Sequence, residues 1–113
     1  MTESANMTKT DIDVTAAPLS AIPAGEGRTF VLGGVRVAIF HTRDGNVYAT
    51  QADCPHKNGP LADGLTGNGV VVCPLHSWKF DLKTGDPVFG ECGIKTYPVR
   101  LDDQQRVIVS VSL

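Results

Sequence analysis

Two Cys/His pairs constrain this chain more than any other feature. Cys54-Pro55-His56 is followed by sixteen residues and then by Cys73-Pro74-Leu75-His76, with glycine-rich sequence between them. In each pair the thiolate and the imidazole can turn toward one point, and the intervening loop can fold back to bring the two points together. Two sulfurs and two nitrogens then converge. That set fits one tetrahedral zinc, or a two-iron, two-sulfide cluster in which one iron takes both thiolates and the other both imidazoles. The Cys54-x-His56 spacing is shorter than the common zinc signatures, which place two or more residues between the ligands of a pair. Spacing alone still leaves both metals open. Without a metal, each cysteine is a small buried hydrophobe.

The rest of the chain reads as short strands. Ile12 to Ala16 alternates apolar and polar residues, and Pro18 to Pro23 reads as a turn or single helical turn. Thr29–Leu32, Val35–His41 and Asn46–Thr50 are strands separated by Gly33-Gly34 and by Asp44-Gly45-Asn46, both strong hairpin signals. Val70–Val72 leads into Cys73, and Trp78 to Leu82 alternates again before the turn residues Lys83-Thr84-Gly85-Asp86. The second pair therefore sits at the tip of a hairpin. Pro87 to Gly93 reads as a loop, and Ile94–Leu101 and Arg106–Val111 as closing strands. Pro98 cannot donate to a ladder, which places its strand at an edge or a bulge. No helix longer than two turns is written, so the expected class is all-β.

With 113 residues the chain is one small domain. Its net charge of −2 and the lack of any basic cluster exclude a nucleic-acid or anionic-membrane footprint. No run approaches eighteen apolar residues, and the polar start has no apolar signal core. The expectation is a cytoplasmic protein with a loose tail over residues 1–9 and a domain over residues 10–113. Cys92, the third cysteine, is expected to pack as an inert buried thiol, the alternative being a redox-sensitive thiol near the partner interface. His41, with no cysteine near it in sequence, is expected to have no metal role.

The pattern Cys54-Pro55-His56, sixteen residues, Cys73-Pro74-Leu75-His76 resembles the signature of the Rieske [2Fe-2S] proteins. The similarity extends through Ala52–Leu61, through Cys73–Asp86 and through Ile94–Arg100, where the chain resembles the small subunits of assimilatory NAD(P)H-dependent nitrite reductases. Rieske ferredoxins that feed aromatic-ring dioxygenases are the next group. The resemblance implies a Rieske-type antiparallel β-sandwich or barrel with a small inserted cluster-binding subdomain over about residues 51–89. It implies one [2Fe-2S] cluster per chain, with Cys54 and Cys73 on the buried iron and His56 and His76 on the outer one. Pro87 stands where the family carries a proline loop over its cluster. Respiratory and photosynthetic relatives have an extra cysteine after each pair, forming a bridge; Gly59 and Leu75 stand at those places here, so that bridge is impossible.

A cluster whose four protein ligands fill every position has nowhere to activate a substrate, so the implied role is one-electron transfer without catalysis in this chain. The implied partner is a large flavin- and sirohaem-containing subunit that reduces nitrite to ammonium. The alternative is a free-standing ferredoxin supplying an aromatic-ring-hydroxylating dioxygenase. High-potential relatives place serine and tyrosine hydroxyls near the cluster sulfurs, and the matching places here are Trp78 and Phe80. Donors aimed at sulfur favour the reduced form, so their loss lowers the potential. A redox titration is expected to give a value toward the lower end of the span of about −150 to +300 mV.

Overall fold

A computed structural model describes residues 11–55, 59–75 and 78–112; the tail expected over residues 1–9 lies outside them. Among the described residues there are short 3₁₀ turns and no α-helix, and every strand pairing is antiparallel. The first sheet contains β1 (Asp11–Pro18), β11 (Arg106–Ser112) and β10 (Val99–Leu101), in that order. The second runs β2 (Glu26–Leu32), β3 (Val35–His41), β4 (Val47–Gln51) and β9 (Thr96–Tyr97). The third runs β5 (Leu65–Gly67), β6 (Val70–Val72), β7 (Lys79–Asp81) and β8 (Pro87–Phe89). The all-β expectation holds.

β3 explains how the three sheets stack. Its four residues Val37–Phe40 are all buried, whereas a strand with one wet face would alternate. Successive side chains point to opposite faces. Val37 and Ile39 accordingly join Val107, Val109 and Val111 of β11 in one core, while Ala38 and Phe40 join Val71 and Phe80 of the third sheet in another. The second sheet is thus the middle layer. Burying both of its faces stabilises the fold by about 25 cal/mol per Å² of apolar surface removed from water.

Turn chemistry sets the registers. Leu32 pairs directly with Val35, so Gly33 and Gly34 form a two-residue hairpin with positive φ at both positions, as a turn of this twist requires. At the β7–β8 turn the Asp81 carboxylate accepts the backbone N–H groups of Lys83 at 2.8 Å and Thr84 at 3.0 Å. The Thr84 bond, then that of Lys83, holds the Asp81 carboxyl below its ordinary value. A depressed folded pKa stabilises the protein above the unfolded value near 4, and that stabilisation drains away as pH falls through the lower folded value. Asp81→Asn is therefore expected to flatten the dependence of the unfolding midpoint on pH below about 4, measured by thermal melts across that range.

Four features depart from the sequence reading. The glycine-rich stretch between the two pairs is not all loop, because Leu61–Asp63 forms a 3₁₀ turn and Leu65–Gly67 forms β5. Residues 87–89 are the edge strand β8, with Pro87 at its first position, where a missing N–H costs least. The strand expected over Ile94–Leu101 breaks at Pro98: β9 ends the second sheet and β10 the first. Cys92 is exposed, not buried. It lies between Gly90 and Gly93 in an exposed segment, with no apolar layer above it to recruit a thiol.

Candidate metal centre

The two cysteines sit at the mouths of two loops that are closed in the same way. The Cys54 N–H donates to the Gly59 carbonyl at 2.8 Å, and the Cys73 N–H donates to the Trp78 carbonyl at 2.7 Å. In both cases the acceptor lies five residues on. The first loop springs from the end of β4 through Ala52 and the single bridge between Asp53 and Pro60. Its exit is fixed by the Leu61 N–H, which donates to the Ala52 carbonyl at 2.9 Å. The second loop is the tip of the β6–β7 hairpin, as its sequence implied.

Both thiols are shielded from water, Cys54 at 0% and Cys73 at 1% exposure. They share one apolar core with Leu61, Val71, Phe80, Leu82 and Ile94, and Tyr48 and Trp78 pack against it. The loops also touch each other. A Cβ placed on Gly59 would meet Leu75 Cγ at 2.9 Å and Cys73 Sγ at 3.2 Å, closer than side chains normally approach. This contact between loops leaves little room for a side chain at Gly59.

His56 and His76 lie outside the described residues. The described half of the donor set fits a soft metal: two thiols, dry and borne on adjoining loops, are what an iron bound by two thiolates needs. His41 stands at the opposite end of β4 from Cys54, with its Nδ1 2.7 Å from the Ile22 carbonyl oxygen. The segment after β8 lies against Trp78 at the exit of the second loop. Gly90 makes that contact, since a Cβ there would come within 2.7 Å of the Trp78 ring, whereas Pro87 is paired in β8 opposite Phe80.

Residues that the sequence did not mark also hold the site. Arg36 of β3 makes a two-pronged contact with the Asp53 carboxylate, each bond 3.2 Å, beside Cys54. The pair is substantially exposed, so its worth is small. Gln51 reaches from β4 to the Asp53 carbonyl and to Lys95. No signal at short range could have found the Arg36–Asp53 and Gln51–Lys95 contacts, which depend on segments meeting across the fold. A groove of about 740 Å³, lined by Arg28, Arg43, Asp63 and Thr66, has neither thiol in its wall.

Residues 13–98 match the Rieske [2Fe-2S] domain family. The chain is 34% identical over 108 residues to the ferredoxin component of a naphthalene 1,2-dioxygenase system from Pseudomonas aeruginosa, covering 94% of this chain and 100% of that one. Among solved structures, an NADH-dependent nitrite reductase small subunit from Mycobacterium tuberculosis superposes with a TM-score of 0.83 at 24% identity, covering 89% of this chain and 96% of that one. An NADPH nitrite reductase small subunit gives 0.77 at 32% identity, covering 87% and 97%. Matched loops, buried thiols and a family match that spans both cysteines make this chain a member of the Rieske [2Fe-2S] domain family, an electron-transfer domain whose cofactor is a Rieske-type [2Fe-2S] cluster.

Proposed function

We propose that this chain is the Rieske electron-transfer subunit of an assimilatory NAD(P)H-dependent nitrite reductase. In this reading Cys54 and Cys73 hold the buried iron, and His56 and His76 hold the outer iron. The unit over about residues 51–89 is the cluster-binding subdomain. The observation that carries the reading is the 32% identity to the NADPH nitrite reductase small subunit across 97% of that chain. The runs Cys73–Asp86 and Ile94–Arg100 supply the finer likeness. The partner is a large cytoplasmic subunit bearing flavin and sirohaem, where nitrite is reduced to ammonium.

The second reading is a ferredoxin serving a ring-hydroxylating dioxygenase, favoured by the 34% identity over the whole naphthalene dioxygenase ferredoxin component. Either role uses the loop tip, where Pro55 is exposed and Leu75 is 58% exposed. Small apolar contacts of this kind suit a short-lived docking event. The pre-reduced chain is mixed in a stopped-flow instrument with the sirohaem subunit or with a dioxygenase terminal component. Reoxidation is expected with the first at a rate that saturates with partner concentration. Reoxidation by the oxygenase alone would establish the second reading and end the first.

A further inference from the structure

We infer that Gln51 is a positioning residue for the cluster: its carboxamide locks the peptide between Asp53 and Cys54 and thereby fixes where the Cys54 thiolate is presented. The inference rests on the assignment of Cys54 as an iron ligand. The Asp53 carbonyl and the Cys54 N–H belong to one planar peptide group, and no peptide bond among the described residues is cis. Both ends of that plane are held. Gln51 Nε2 donates to the Asp53 carbonyl at 2.7 Å, while the Cys54 N–H donates in the opposite direction to the Gly59 carbonyl at 2.8 Å.

The two loops are rooted differently in their sheets. Cys73 follows β6 directly and its loop runs straight into β7, so the pairing of Val72 with Lys79 closes the base of that loop. β4 stops at Gln51, and beyond it no continuous ladder runs along the described part of the first loop. That part is held by the isolated bridge between Asp53 and Pro60 and by single backbone bonds such as that from Leu61 to Ala52. A side-chain donor supplies the bond that a neighbouring strand would have given. The other end of the carboxamide anchors it: Gln51 Oε1 accepts the Lys95 N–H at 2.8 Å, and the Gln51 N–H donates to the Lys95 carbonyl at 2.9 Å. Next to Lys95, Ile94 packs in the same core as both cysteines, and its N–H donates to the Gly85 carbonyl at 2.8 Å. Gln51 thus ties the first loop to the backbone that supports the second.

The test compares cluster-loaded wild type with Gln51→Met, Gln51→Glu and Val109→Ala. Methionine keeps the length and loses both bonds; glutamate still accepts from Lys95 but cannot donate to Asp53. Val109 is fully buried in the other core, so its truncation weakens the fold without touching the loops. Two quantities are read below every melting temperature: the line shape of the reduced cluster by electron paramagnetic resonance, and the rate of cluster loss to an iron chelator. Both Gln51 variants are expected to show broadened lines and cluster loss about tenfold faster. Val109→Ala is expected to match wild type in both. A wild-type line shape and rate in either Gln51 variant would overturn the inference, as would the same changes in Val109→Ala. If wild type itself bound no Rieske cluster, the ligand assignment would fall and the inference with it, an outcome seen before any variant is made.

Discussion

Replacing Phe80 by alanine is expected to lower the unfolding midpoint by roughly 12–30 °C, from a loss of about 3–5 kcal/mol. The ring is fully buried at the centre of β7, opposite Val71 on one side and Pro87 on the other. It belongs to the core that contains both cysteines, and its centroid lies 6.4 Å from that of Trp78, with the planes tilted by 57°. Truncation therefore opens a cavity beneath both loops, and a lattice of short strands cannot collapse into it. The cost would consume a large part of a net stability of about 5–15 kcal/mol. Phe30→Ala, at a half-buried position of β2, is expected to cost clearly less. Equal losses in calorimetry would show that the ring is not the keystone of the layer beneath the thiols.

What was legible in the sequence was local. Gly33-Gly34 and Asp44-Gly45 announced their hairpins because positive φ is a property of single residues, and both turns are present. The buried run Val37–Phe40 was legible as a strand, but its place as a middle layer followed only once sheets lay on both faces. β5 was missed because Leu65-Thr66-Gly67 has little strand propensity, and its pairing with Val70–Val72 decides its conformation. The two cysteines were legible from their spacing with histidine. Their supports were not: Gln51 meets Lys95, and Arg36 meets Asp53, across separations in sequence that no short pattern records. The crowding at Gly59 was not legible either, because the room it leaves to Leu75 and Cys73 depends on the second loop meeting the first.

Cys73→Ser is expected to abolish the cluster while leaving most of the β structure, and Cys92→Ser is expected to change nothing. Serine fits the space of the buried Cys73 side chain, and the backbone bond from residue 73 to the Trp78 carbonyl survives the exchange. What is lost is a thiolate, and a hard hydroxyl, ionising far less readily, is a poor substitute on a soft iron site. Visible absorption, the reduced-state resonance, and stoichiometric iron and sulfide should all disappear together. The core between the first two sheets contains neither cysteine, so the far-ultraviolet signature of the sheets should remain. The melting temperature should still fall, because binding energy of a metal group is also folding energy. Cys92, exposed on the segment after β8, serves as the matched control for sulfur content. Iron retained in Cys73→Ser, or lost in Cys92→Ser, would mean that the buried pair of thiols is not what grips the cluster.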